Sequence, residues 1–184
     1  MNRKGFTLVE LLASLVILGL LMGIAIPNVV GTIRKQRKNT YIEDSKRLVS
    51  RAKTMISANN LDKVENTCYS LRFLDNGDFD EAPNGGKYLR YYSYVKIDGS
   101  GNYWVTLIEC TSCKDQGQED AGETVALPSG SDLQGVKNKG YNEIIHSDNP
   151  TSLVEAFTSA GTNLYTTKPS DCSGIYYHPD KGKR

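Results

Sequence analysis

Residues 6–30 are apolar almost without interruption, and Glu10 is the single charge among them. A helix of that length covers the ~30 Å of a bilayer's hydrocarbon. Polar punctuation begins with the basic run at 34–38, and the pattern then changes period. Tyr41, Ser45, Leu48, Val49, Ala52, Met55 and Ile56 recur at three- and four-residue spacing, with Lys46, Arg47, Ser50, Arg51 and Lys53 between them. That spacing predicts an amphipathic helix with one buried stripe, and Asn59-Asn60 predicts its stop. The two segments join into one helical spine of about 50 residues, bent near Pro27. Gly19 and Gly23 lie four apart on one face of it, which serves either close helix approach or local flexibility.

Beyond the spine the period falls to two. A short strand is expected at 69–74 and a longer one at 88–97, where Leu89, Tyr91, Val95 and Ile97 alternate with Arg90, Tyr92, Tyr94 and Lys96. Asp98-Gly99-Ser100-Gly101 has the composition of a hairpin loop. The partner strand returns over 103–110, with Trp104, Thr106 and Ile108 alternating against Val105 and Leu107. Polar, glycine- and acid-rich stretches at 76–87 and 110–140 read as loops. Ser152-Leu153-Val154-Glu155 has capping-box spacing and predicts a short helix to Ala160. Residues 174–178 predict a last edge strand, and 181–184 a loose tail. The fold class is therefore α+β: a long N-terminal helix, membrane-spanning then amphipathic, packed on a small antiparallel β-sheet head.

At 184 residues, 39% hydrophobic and 23% charged, the chain suits one modest globular domain plus that helix. Its formal charge of +1 gives no global pull toward nucleic acid or anionic membranes. The basic run at 34–38 reads as a solvated or headgroup-contacting collar.

Glu10 changes the picture. An ionised carboxylate at membrane depth is costly and usually has a partner and a job, yet nothing in 7–30 carries a positive charge. A cut between Gly5 and Phe6 would create an α-amine four residues from Glu10. An ordinary secretory signal fits poorly: the apolar run exceeds the usual 7–15 residues, a glutamate sits inside it, and no small-x-small cleavage site follows.

Gly5-Phe6-Thr7-Leu8-Val9-Glu10, opening an apolar run behind the basic start Met1-Asn2-Arg3-Lys4, resembles the type IV pilin and type II secretion pseudopilin family. The resemblance is close over about the first 30 residues, and Pro27 matches a proline common late in that family's apolar segment. It implies a leader at 1–5, a transmembrane and filament-core helix at 6–30, its amphipathic continuation at 31–60 and a globular β-rich head at 61–184. It further implies cleavage after Gly5 by a prepilin peptidase, N-methylation of Phe6, and a filament-assembly role for Glu10 against a neighbouring amine. The implied partners are other pilin subunits and an inner-membrane assembly platform with its ATPase. A single-pass membrane precursor would then become a filament with its head outside the cytoplasm. The bias of positive residues toward the cytoplasm points the other way, because Arg34, Lys35, Arg37 and Lys38 outnumber Arg3 and Lys4. The resemblance decides the orientation here, since only a cytoplasmic leader explains the Gly5-Phe6 junction. The expected function is a structural filament subunit; the alternative is a minor tip pilin whose head binds DNA, a surface or a secreted substrate.

The head's own chemistry is less specific. Cys68, Cys110, Cys113 and Cys172 suggest two disulfides in an exported domain, with three connectivities open. A four-thiolate zinc site is the alternative. Residues 75–81 gather oxygen ligands without EF-hand spacing, so turn chemistry is preferred to calcium. No cofactor is expected. His146 and His178 have no metal-ligand spacing. Tyr92 and Tyr94 read as core or subunit-contact residues rather than a nucleobase platform. Without a nucleophile elbow, phosphate loop or zinc-hydrolase motif, no enzymatic activity is expected.

Overall fold

The computed structural model describes residues 6–58, 66–75, 77–79, 81–90, 92–111, 126–127, 132–158, 162–163, 172–178 and 182–183. Two compact units divide the chain, Met1–Gln36 and Arg37–Arg184. Helix α1, Leu8–Ala58, is continuous through position 27 over its 51 residues. A proline costs a helix one hydrogen bond and crowds the preceding turn, and here the helix runs on.

In the second unit, α1 buries the stripe that the spacing predicts. Tyr41, Ile42, Ser45, Leu48, Val49, Ala52 and Ile56 are buried, with Met55 packed at the margin. They rest on a sheet whose strands are β1 (Thr67–Ser70), β2 (Lys87–Tyr88), β3 (Tyr94–Ile97), β4 (Tyr103–Cys110), β6 (Asp132–Gly140), β7 (Val154–Thr158), β9 (Gly174–His178) and β10 (Gly182–Lys183). The strands lie in the order β10-β9-β1-β3-β4-β6-β7, with β2 also on β4. A separate short pair joins β5 (Ala126–Leu127) to β8 (Thr162–Asn163). Pairing is antiparallel except between β1 and β9, which run parallel. This is an α+β fold with a helix packed on a sheet.

Strand β4 explains the layering. Val105 and Leu107 face α1 in the main core, while Ile108 and Cys110 join Leu89 and Leu133 in a second cluster. Both faces of β4 are thus covered, so polar and apolar positions alternate only weakly along it. The hairpin before it forms as expected: the Asp98 carboxylate accepts from the Ser100 and Asn102 amides, and Gly101 takes φ 79°.

Five sequence expectations are corrected. Residues 69–74 do not form one strand. Ser70 ends β1 and its hydroxyl accepts from Phe73 N at 3.2 Å, capping a single helical turn, α2 (Leu71–Leu74). Residues 88–97 are two strands, β2 and β3, separated by a turn closed by Ser93 N to Leu89 O at 2.8 Å. The turn breaks the alternation, so Leu89 packs in the second cluster while Val95 and Ile97 stay in the first; Tyr91 lies outside the described residues. The expected loop at 110–140 contains β6, which pairs with β4 on one side and β7 on the other. Its glycine is required by close approach, because a Cβ on Gly135 would collide with the Leu107 carbonyl. Finally, the helix expected from Ser152 is a 3-10 turn over Pro150–Leu153 followed by β7. Asn149 precedes that turn, and the Ser152 hydroxyl donates to Asn149 O instead of capping. Residues 174–178 do form a strand, β9, paired on both sides rather than at an edge. A further helix, α3 (Tyr141–His146), follows β6 and buries Ile144.

Candidate functional site: the capped N-terminal helix

Helix α1 begins with a reciprocal cap. Thr7 N donates to Glu10 Oε2 at 2.9 Å, Thr7 Oγ1 donates to the same oxygen at 2.9 Å, and Glu10 N donates to Thr7 Oγ1 at 3.3 Å. These are the bonds of a capping box, in which a threonine and a glutamate three residues on satisfy each other's orphan donors. The carboxylate also sits where the helix dipole favours negative charge. Among the described residues no cation pairs with Glu10. Thr7 is a residue that sequence reasoning missed. Its signal was the T-x-x-E spacing, the same rule that misled at Ser152.

The face around this cap is bare. Phe6 is 85% exposed, and the large apolar side chains from Leu8 to Ile33 are exposed without exception among those described. No residue of the most apolar 18-residue window is buried. A core helix of a soluble domain hides such residues; water does not tolerate so long a continuous apolar surface. The length and composition suit a membrane span or a bundle of like helices. A Cβ on Gly19, Gly23 or Gly31 would meet nothing within 4 Å, so no packing inside the chain requires those glycines. Gly5 lies outside the described residues.

The cysteines lie in the second unit. Cys68 in β1 and Cys172, just before β9, form a disulfide with Cα atoms 5.7 Å apart, covered by Tyr94. Their sulfurs are therefore not thiolate ligands. Cys110, at the end of β4, is also disulfide-bonded, and Cys113 lies outside the described residues. Among the described residues no group of three histidine, cysteine or acidic side chains could hold a metal. Asp75 builds a turn, accepting from the Gly77 and Asp78 amides and pairing with Arg90 at 2.9 Å. Asn76 and Asp80 of that loop lie outside the described residues, as do Asn59 and Asn60. Tyr92 is half-buried against the second cluster. His146 is exposed at the end of α3, with its Nδ1 3.0 Å from Asn142 O; β9 ends at His178.

A polar network inside the head also escaped the sequence. Glu109 is fully buried on the face of β4 toward α1. It accepts from the Tyr41 hydroxyl, from Gly86 N at 2.8 Å and from Asn84 N at 3.2 Å. Asn84 Nδ2 reaches both Tyr41 Oη at 2.9 Å and Gln134 Oε1 at 2.6 Å. Beside it Tyr88 donates to Asp44 at 2.7 Å. Burial pushes the Tyr41 and Tyr88 hydroxyls up, with the adjacent Glu109 and Asp44 carboxylates adding to the effect. Burial also raises the Asp44 carboxyl, offset by the Tyr88 bond and by Arg47. These bonds tie the helix to the sheet. Its signal was a lone acid in the apolar stretch Leu107-Ile108-Glu109-Cys110.

No curated protein and no solved structure matches the chain. Residues 1–26, which hold the cap and most of the bare face, match the prokaryotic N-terminal methylation motif. The chain therefore carries the prepilin-type motif of type IV pilins and pseudopilins at its N-terminus.

Proposed function

We propose that this protein is a structural subunit of a type IV pilus or a type II secretion-like pseudopilus. The observation that carries the reading is the bare apolar helix bearing one capped carboxylate inside the matched motif. On this reading residues 1–5 are a leader, 6–30 the membrane and filament-core helix, 31–60 its amphipathic continuation and 61–184 the outward head. A prepilin peptidase cuts after Gly5, Phe6 becomes the N-methylated terminus, and the precursor waits in the membrane as a single span. A cytoplasmic ATPase and its membrane platform then draw it into a filament. In the filament core Glu10 neutralises the Phe6 amine of an adjacent subunit. The role is structural rather than catalytic.

Intact mass of the membrane form tests the processing: the mature chain should begin at Phe6 and carry one added methyl group. An uncut Met1, or a terminus near Val30, would overturn the reading. Proteomics of sheared surface filaments tests the assembly. A major subunit dominates the preparation by mass, whereas a sparse chain whose head binds DNA, a surface or a secreted substrate would be a tip subunit instead.

A further inference from the structure

We infer that Asn84 is a site of spontaneous deamidation that the closed joint between α1 and the sheet protects, so that opening of the joint is recorded covalently and is not reversed. The inference stands apart from the subunit reading, because it uses only residues of the second unit.

Asparagine followed by glycine is the dipeptide most open to this reaction, because glycine has no side chain to hinder attack by its amide nitrogen. The chain holds it twice, at 76–77 and 84–85. At the second, the Gly85 nitrogen loses its proton to base and attacks Asn84 Cγ. A new C–N bond closes a cyclic imide, and the Cγ–Nδ2 bond breaks to release ammonia. Water then opens the imide at either carbonyl, leaving aspartate or isoaspartate at 84.

The fold holds both reacting groups away from this course. Asn84 Nδ2 donates to Tyr41 Oη at 2.9 Å and to Gln134 Oε1 at 2.6 Å, while Arg37 donates to Asn84 Oδ1 at 3.3 Å. The nucleophile is engaged as well, since Gly85 N donates to Ala82 O at 3.0 Å. Attack therefore needs the side-chain amide to turn away from partners on α1 and β6, and the Gly85 amide to leave its turn. Gly85 itself is exposed, so base and water reach the peptide, and the protection comes from these contacts rather than from exclusion of solvent.

The products do not suit the closed joint. Aspartate at 84 brings a second carboxylate against the buried Glu109, which accepts from the amide of residue 84 at 3.2 Å. Tyr41 already gives its one proton to Glu109 and has none for the newcomer. Arg37 can pair with the new charge from its exposed position, and Gln134 can turn its amide to donate, but neither separates the two carboxylates. Isoaspartate lengthens the backbone two residues ahead of Gly86. The Gly86 amide donates to Glu109 Oε1 at 2.8 Å, and a Cβ there would lie 2.6 Å from Cys110 O, so this strand entry has no slack to absorb the change. A joint that has opened long enough to react thus closes less well afterwards.

The test uses the full chain in detergent micelles with its disulfides intact, held at mildly alkaline pH with and without denaturant, and residue 84 followed by peptide mass mapping. Conversion should be roughly tenfold or more slower in the folded chain than in the unfolded one. Tyr41→Phe, which takes away one acceptor of the Asn84 amide, should raise the rate in the folded chain. The Asn84→Asp chain should melt below the unaltered chain and exchange its Gly86 amide roughly tenfold faster. No conversion in denaturant would overturn the site, and equal rates in folded and unfolded chains would overturn its protection. An unchanged rate in a Tyr41→Phe chain that still folds would remove the joint as the source of that protection. An Asn84→Asp chain as stable as the unaltered one would mean that conversion leaves the joint free to close.

Discussion

On the proposed subunit reading Glu10 has two sets of partners at different stages, and that would decide what its replacement does. In the isolated subunit Thr7 holds its carboxylate through two donors; in a packed core of apolar helices it would meet a neighbour's amine at low dielectric. Removing one member of a buried charge pair is far more damaging than never having built it. Glu10→Ala should leave membrane level and head folding intact while lowering the sheared-filament fraction on the order of a hundredfold. Glu10→Asp, one methylene shorter, should fall between. Incorporation of Glu10→Ala at the unaltered level would remove the assembly role. Asp98 offers a second residue-scale test, in the head. The Trp104 indole N–H, bonded at 2.9 Å, and then the Asn102 amide hold its carboxyl down to about 2. Because the folded value lies below the ordinary one, the stabilisation is present above roughly pH 4 and lost as pH falls through about 2. Melting curves from pH 5 to 2 should fall more steeply for the native chain than for Asp98→Asn. Parallel slopes would mean that the loop does not depend on this charge.

Elements were legible in the sequence where one pattern had one cause. The α1 stripe from Tyr41 to Ile56 follows from burial on a single face, and the hairpin at 98–101 from a carboxylate that caps its own turn. Strand β4 emerged with its observed ends because β-branched and aromatic residues fill it. Legibility failed where a tertiary neighbour set the requirement. Gly135 and Asn138 make β6 look like a loop, yet Gly135 is there because Leu107 passes so close. Asn138, at φ 48°, donates its amide to Thr106 Oγ1 at 3.0 Å where the pairing with β4 shifts register. Neither fact exists before β4 and β6 meet. Capping-box spacing was overread at Ser152 and overlooked at Thr7, although the rule is the same. What differs is the continuation. Behind Thr7 come tens of apolar, helix-compatible residues, whereas behind Ser152 a valine and a pairing strand take over. The N-terminal motif was the most legible part because an isolated charge in an apolar run is anomalous whatever the fold.

At the scale of the molecule, the Cys68–Cys172 disulfide decides how the end of the chain is held. It spans 104 residues and joins β1, the first strand, to the residue that leads into β9. The pairing it guards is the parallel one, Thr67–Ser70 beside Gly174–His178. Parallel pairs need long crossovers, and closing so long a loop costs chain entropy before any strand hydrogen bond is gained. A native disulfide of this kind contributes about 2–5 kcal/mol, a large share of the ~5–15 kcal/mol that holds a typical domain together. The loss should be unevenly spread. The stack of β3, β4, β6 and β7 keeps its antiparallel neighbours and its cover from α1, while β9 and β10 lose the tether. Cys68→Ser with Cys172→Ser should therefore lower the denaturation midpoint of the head. It should also raise amide exchange at Gly174–His178 well before it does so in Tyr103–Cys110. Exchange rising equally in both strands would mean that the head unfolds as one unit and the disulfide stabilises it globally. Unchanged stability would mean that the β1–β9 pairing stands without the covalent link.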